Sequence, residues 1–361
     1  MDSVTIRDIA RKCGVGVSTV SRAMNNHPDI NPQTREKILR VIRESGYVPN
    51  NSARNLKRAD ARAVALLVKG MDNMFFTDII HIIERDTQEQ GYACILQQVE
   101  DGENELEIAL ELVKEKKLRG IIFLGGSFVH PPALLKRLTV PYVISTIGQQ
   151  ENPEGYIGGS VSVDNRKESC KAVNYLCSLG HRRIAVLAAG EDDRSIGRLR
   201  MEGYRQALAE NGIPFDPALV VYMEASADGY SMKSGYRMTR RLLETGTDFT
   251  ALYATADTLA MGACRALKES GVRVPEDCSI MGFDGLEAGR YYIPSLTTLE
   301  QPAEEMAHAT VDHLFRLIRK QEAPKRLFFE GRLVIRESAQ KYGGANGKTP
   351  AAENDRKSKG R

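Results

Sequence analysis

Through the first 45 positions, apolar residues recur at helical spacing. Thr5 precedes Ile6, Ile9 and Ala10, with Asp8 at the third helical position, close to a capping box. Gly14-Val15-Gly16 breaks this helix, and a second is expected over 17–24 with Val20 and Ala23 on its inner face. Asn25-Asn26-His27-Pro28 reads as a loop. Asn31-Pro32 supplies an N-cap followed by proline at the first turn of a third helix. Ile38, Val41 and Ile42 form the apolar stripe of that helix, and Gly46 ends it. The stretch 50–58 is too short and polar to be a stable helix alone. It reads as a linker that is helical only when something holds it.

From Ala63 the period changes. Short apolar runs at 63–68, 93–97, 120–124, 142–145, 184–188, 220–223, 251–254 and 279–283 read as strands. The helical segments between them end in glycine at Gly91, Gly180, Gly212 and Gly271. The alternation predicts an α/β fold, with doubly wound parallel sheets covered by helices on both faces. The length allows two such sheets side by side, as lobes facing across a cleft where strand C-termini gather. The expected boundaries are a small all-α head at 1–49, a linker at 50–60 and a two-lobed core at 61–340. A tail at 341–361, rich in Gly, Lys, Asn and Ala and without apolar spacing, is expected to be disordered.

Composition narrows this picture. A chain of 361 residues suggests two or three domains, and 42% hydrophobic and 27% charged residues are ordinary for a soluble globular protein. No run approaches a membrane span, and Met1-Asp2-Ser3-Val4-Thr5 lacks the basic and apolar regions of a signal peptide, so the chain is expected in the cytoplasm. Cys13, Cys94, Cys170, Cys177, Cys264 and Cys278 form no C-x-x-C pair and read as buried free thiols; neither metal nor cofactor is expected. The net charge of +3 conceals a division. Residues 1–60 carry 11 Lys/Arg against 6 Asp/Glu, residues 341–361 carry 6 against 2, and the body between is acidic. A basic head on an acidic body points to a polyanionic partner.

Two helices joined by a tight glycine turn fit a helix-turn-helix that places its second helix in the major groove of double-stranded DNA. Val17 and Ser18 stand at the exposed start of that helix and are candidates for base contacts. Arg22, one turn on, can meet guanine O6 and N7. Thr19, Ser21, Asn25, Asn31 and Thr34 are suited to phosphate contacts. Spacing alone leaves open a helical subdomain that binds no nucleic acid.

The residues Thr5-Ile6-Arg7-Asp8-Ile9-Ala10, Gly14 to Arg22, and Thr34-Arg35-Glu36-Lys37 together resemble the head of the LacI/GalR repressor family. Gly46-Tyr47-Val48-Pro49-Asn50 and Ala53 to Leu56 resemble its hinge. The resemblance implies phosphate contacts from Tyr47 and Asn50, and a hinge (Ala53, Arg54, Leu56) that folds on the operator and wedges Leu56 into the minor groove. Gly16 stands where the family usually has a serine that caps the recognition helix.

The resemblance continues to about residue 340 through Val163-Asp164-Asn165, Leu179 to Ala185, Gly203-Tyr204, Val274 to Asp277, Gly282-Phe283-Asp284 and Pro294 to Thr298. It implies a core like the periplasmic binding proteins, used as a sensor of a small-molecule effector such as a sugar or related metabolite. Arg200, Asp284, Gln301, Phe75 and Phe76 fall at effector-contacting positions of the family. Two further cleft positions depart from it: Thr146 stands where the family often has aspartate, and Ala256 where it often has asparagine.

No catalytic set is visible. His181 follows a helix-ending glycine and reads as structural, while His308 and His313, five apart, point to different faces. The leading expectation is a homodimeric repressor, not an enzyme. Its partners are a near-palindromic operator and an effector, with no membrane contact. A solute-binding protein, a regulator answering a phosphorylated carrier protein and an α/β enzyme are the competing classes.

Overall fold

The computed structural model describes residues 5–24, 29–45, 62–100, 102–126, 132–148, 158–224 and 229–343. The chain forms two compact units, residues 1–61 and 62–361. The expectations for Asn25, Tyr47, Asn50, Ala53, Arg54 and Leu56 lie outside the described residues.

In the first unit, α1 (Ile6–Cys13) starts from the Thr5–Asp8 capping box and ends at Gly14, whose φ of 69° lets the chain reverse. α2 (Val17–Met24) follows after two residues, and α3 (Pro32–Glu44) starts from Asn31, whose Oδ1 accepts the Gln33 and Thr34 amides. The three helices meet over Ile9, Ala10, Cys13, Val20, Ala23 and Ile38, with Val41 and Ile42 at the edge. The Lys37 ammonium donates to the Cys13 carbonyl at 3.1 Å, tying α3 to the end of α1.

The second unit holds two six-stranded sheets. The first lobe contains β1 (Ala63–Lys69), α4 (Phe76–Glu89), β2 (Ala93–Val99), α5 (Glu105–Lys116), β3 (Gly120–Gly125), α6 (Pro132–Leu135), β4 (Tyr142–Ser145) and β5 (Gly158–Val163). The second contains α7 (Asn165–Ser178), β6 (Ile184–Ala188), α8 (Ile196–Glu210), β7 (Val220–Tyr222), α9 (Met232–Glu244), β8 (Ala251–Ala254), α10 (Asp257–Glu269), β9 (Ser279–Asp284), α11 (Glu287–Tyr291) and β10 (Thr297–Glu300). The chain then returns to the first lobe for α12 (Ala303–Ile318) and β11 (Arg326–Phe329), and crosses a third time to place β12 (Arg332–Val334) beside β10. Both sheets are parallel except at β12, which is antiparallel to β10. The expected parallel sheets are thus present, with short, partly exposed β12 as one antiparallel edge strand.

β5, β10, β11 and β12 were absent from the expected strands. β5 begins Gly158-Gly159 because its neighbours leave no room for a Cβ: one at Gly158 would run into the Tyr142 ring, one at Gly159 into the His313 ring. In the second lobe, α9 and α10 cross with their backbones nearly touching. A Cβ at Gly235 would overlap the Leu259 carbonyl, and one at Gly262 the Met232 carbonyl. His181 is buried between Thr250 Oγ1, Ser279 Oγ and the Gln340 carbonyl, a structural role. Docked backbone reaches two residues into the stretch expected as tail, because the Tyr342 amide donates to the Leu179 carbonyl at 2.8 Å. Five cysteines are buried as expected, while Cys94 is only half-buried on the edge strand β2.

Candidate effector pocket and DNA-reading helix

The seven residues assigned to effector binding from the sequence come together between the two lobes. Phe75, Phe76 and Thr146, with Asn73, line the pocket from the first lobe. Arg200, Ala256, Asp284 and Gln301, with Ile196 and Tyr230, line it from the second. The Asn73 carboxamide accepts the Phe75 amide at 3.1 Å and fixes the turn that presents the phenylalanines. Their rings lie 6.0 Å apart, tilted by 52°. The pocket leaves about 10 Å³ free, room for a single water.

Its polar wall is tightly organised. Arg200 is 3% exposed and Asp284 4%. The guanidinium gives Nε to Asn165 Oδ1 at 2.9 Å and Nη1 to the Thr255 carbonyl at 2.5 Å, and places Nη2 3.4 Å from Asp284 Oδ1. Its Cζ lies over the Phe283 ring, 3.7 Å from the centroid. Gln301 Nε2 donates to the same Asp284 oxygen at 2.8 Å. Behind Asp284 lies a second buried carboxylate. Asp257 accepts the Gly285 and Leu286 amides at 2.9 and 2.7 Å and the Thr298 hydroxyl at 2.6 Å. Burial raises the pKa of Asp257, with the Asp284 charge as second cause; burial also raises Asp284, opposed chiefly by Arg200.

Three buried polar atoms in this wall have no hydrogen-bond partner among the described residues: Thr146 Oγ1, Tyr230 Oη and Gln301 Oε1. An unpartnered buried polar group costs about 1–3 kcal/mol. The backbone carries strain at the same place. Thr146 has φ 72° and Asp284 φ 119°, both in the region that favours glycine. The other two such residues among those described, Lys117 and Lys320, sit at helix C-termini. Strain and unsatisfied groups gathered in one pocket make it the candidate binding site.

Tyr230, Asn165, Asp257, Asn73 and Ile196 are among the residues of this wall not assigned from sequence. Asn165 lay within the quoted Val163-Asp164-Asn165 and Asp257 beside the noted Ala256, so both were within reach. Ala256 is the N-cap of α10 yet offers no cap acceptor, and the Asp257 carboxylate serves the neighbouring 285–286 turn instead. Nothing around Tyr230, in a loop before α9, distinguishes it in the sequence.

In the first unit, Val17 is 42% exposed and Ser18 and Arg22 are exposed, while Val20 and Ala23 face inward. Thr19, Ser21 and Thr34 are half-buried and Asn31 exposed. Asn31 Oδ1 caps α3, which leaves the Nδ2 donor for the phosphate contact expected from the sequence. At the start of α2 the Gly16 carbonyl accepts the Thr19 and Val20 amides. A Cβ at Gly16 would meet only the Ser18 and Thr19 hydroxyls, at 3.5 and 3.9 Å, so a serine fits there. Among the described residues no group of side chains could hold a metal ion, and no helix is long and apolar enough to cross a membrane.

A helix-turn-helix unit joined in one chain to a two-lobed, ligand-type core defines a DNA-binding regulator with a sensor. Residues 5–50 match the family model of bacterial regulatory proteins of the lacI family, and residues 173–339 match a periplasmic binding protein-like domain. The HTH-type transcriptional regulator MalR of Clostridium butyricum is 40% identical over 338 residues, covering 93% of this chain and 99% of that protein. The solved lac repressor dimer bound to operator and the anti-inducer ONPF is 26% identical with a TM-score of 0.74, over 93% of this chain and 99% of that one. The complex of the regulator CelR with cellobiose is 31% identical with a TM-score of 0.66, over the same shares. The chain belongs to the LacI family of DNA-binding transcriptional regulators.

Proposed function

We propose that the chain is a homodimeric repressor whose affinity for a near-palindromic operator is set by a neutral, polyhydroxylated effector of saccharide type held between the lobes. The observation that carries the effector reading is the set of unpartnered Thr146, Tyr230 and Gln301 oxygens around one buried pocket. All three are uncharged, and hydroxyl groups of a ligand would satisfy them once the lobes part to widen the closed pocket of about 10 Å³. Arg200 and Asp284 neutralise one another, and Phe75, Phe76 and Ala256 offer apolar surface for a ring face. CelR, a relative of the same architecture, is solved with cellobiose. In this reading Thr146 supplies a hydroxyl where family members often carry Asp, Ala256 leaves an apolar surface where they often carry Asn, and Tyr230 adds a hydroxyl from the loop before α9.

On DNA, Val17, Ser18 and Arg22 read bases. Thr19, Ser21, Asn25, Asn31, Thr34, Tyr47 and Asn50 hold phosphates, and Ala53, Arg54 and Leu56 enter the minor groove as the hinge orders. The working divisions are a head at 1–49, a hinge at 50–60, a sensor and dimerisation core at 61–340 and a basic tail. The protein acts in the cytoplasm and catalyses no reaction. Effector binding changes lobe closure, and operator affinity shifts through a coupling of about 1–3 kcal/mol.

A thermal-shift screen of neutral sugars, nucleosides and phosphorylated metabolites tests the pocket. A true effector at 100 times its Kd stabilises by about 2.7 kcal/mol. Stabilisation that persists in both Arg200→Ala and Asp284→Ala would overturn the assignment. Leu56→Gly should weaken operator binding in a gel shift and leave effector binding intact, and equal loss of both would sink the hinge mechanism.

A further inference from the structure

Three segments of the described chain join the lobes: residues 163–165, 300–303 and 329–332. The first and third run side by side, since Val163 of β5 pairs with Phe329 of β11. The third is gripped by one face of α7, in the second lobe. Lys171 Nζ donates to the Gly331 carbonyl at 2.9 Å, and Lys167 Nζ lies 2.8 Å from Glu330 Oε1. Between these lysines in the chain, Glu168 is 1% exposed, a carboxylate withdrawn from water beside the crossing. Neither of its oxygens accepts a well-aligned hydrogen bond among the described residues, and its charge is met by Lys171 Nζ at 2.6 Å. Gly331 makes room for it: a Cβ there would stand 3.0 Å from Glu168 Oε2 and 2.8 Å from Leu299 Cδ2.

We propose that Glu168 and Lys171 form a latch on the third crossing that biases the lobes toward the closed arrangement. Both lie outside the residues that line the effector pocket. A buried ion pair adds little stability over an apolar pair of similar volume, so stability alone does not account for a carboxylate kept there. What the pair supplies is direction. A buried carboxylate holds its cation, so Lys171 stays on Glu168, and the ammonium has further donors to give. One of them goes to the Gly331 carbonyl. A rotation that opens the lobes turns residues 329–332 and draws that carbonyl off its donor. Arg332, 2.5 Å from Glu300 Oε2, carries the same turn to the second crossing, where Gln301 follows and lines the effector pocket. With the latch made, that pocket is closed to about 10 Å³. The link from closure to the operator rests on the function proposed above, and the latch adds what biases closure.

Hydrogen exchange read by mass spectrometry on the full chain tests the latch. Lys171→Met keeps the stem and removes the ammonium. Amide exchange should quicken about tenfold in peptides covering 73–76, 300–304 and 328–333, and stay at the parent rate in β1, β6 and β8. Glu168→Met combined with Lys171→Met removes both charges and covers the case in which the single variant does not fold. It should show the same local quickening. Lys167→Met, at the solvated pair, should change these rates by less than about twofold. A larger effect there than at Lys171 overturns the assignment to the buried pair. Unchanged exchange in the folded double variant overturns the latch, as does a uniform rise across both lobes, the mark of plain destabilisation. A second measurement keeps the operator reading separate. A duplex selected by the parent chain from a random pool is titrated by fluorescence anisotropy, and the double variant should shift its Kd by about fivefold or more. An unshifted Kd with quickened exchange leaves the latch standing and overturns control of the operator by lobe closure.

Discussion

In the head, the side chains assigned to DNA stand outside a small core: Val17, Ser18 and Arg22 are exposed on a helix whose inner face buries Val20 and Ala23. In the core, the side chains assigned to the effector are nearly all withdrawn from water. Arg200, Asp284 and Gln301 are 3–4% exposed, and three polar atoms of the wall lack partners among the described residues. The contrast fits the ligands proposed for the two sites. A DNA duplex is a dense polyanion whose field acts on solvated cations, so its receptor need not be desolvated. A small neutral ligand has no such field, so its receptor needs directional groups already out of water, with strain and unsatisfied hydrogen bonds as the cost.

Four substitutions or conditions would break or sharpen this contrast. The largest effect is expected from Arg200→Ala, which leaves Asp284 buried without its cation and Asn165 and the Thr255 carbonyl without their donor. Loss of one partner from a buried pair typically destabilises by about 3–5 kcal/mol, and denaturant unfolding of the core measures it. A loss below 1 kcal/mol would mean that the pocket is solvated like the head. Arg22→Ala should do the reverse, leaving the unfolding midpoint unchanged. Binding to the preferred operator should weaken by about 1–3 kcal/mol, with discrimination relaxed at one base pair.

The third test is pH. Burial raises the folded-state pKa of Asp257 and Asp284, so the folded core holds protons that the unfolded chain has released. Stability from this pair therefore falls as pH rises above the ordinary carboxylate range of about 4. Asp257→Asn should flatten the fall in melting temperature relative to the parent, and an unchanged slope would count against the buried acid pair. The smallest effect is expected from Gly16→Ser. A hydroxyl at the start of α2 should add a few tenths of a kcal/mol to the head and one phosphate contact, read as tighter operator binding with a steeper salt dependence.

The head was legible because its signals are local. The Thr5–Asp8 cap, the Gly14 turn and the Asn31-Pro32 start each act within a few residues. The strands that escaped notice are those whose identity depends on distant neighbours. β5 has glycines where the Tyr142 and His313 rings press in, and β10 buries Thr297 and Thr298 against Ser338 and Asp257. A polar residue in a strand looks like a loop until its partner is known. Arg200 and Asp284 entered through family resemblance, since an arginine in a helix and an aspartate before a glycine carry no mark of convergence. Tyr230 had neither a pattern nor a motif to reveal it.

The three crossings between lobes also fix the order in which the molecule can be completed. α12 and β11 belong to the first lobe yet follow nearly all of the second in the chain. On the ribosome, the head can close early and most of the second lobe can assemble while the first still lacks an edge strand and a covering helix. Until residue 318 has emerged, the surface that Met306, Ala307, Val311, Leu314 and Phe315 will cover stays open to solvent. A nascent chain stalled before that point would display a DNA-reading head beside an unfinished sensor. Its uncovered apolar face is the mark by which chaperones or proteases would recognise it.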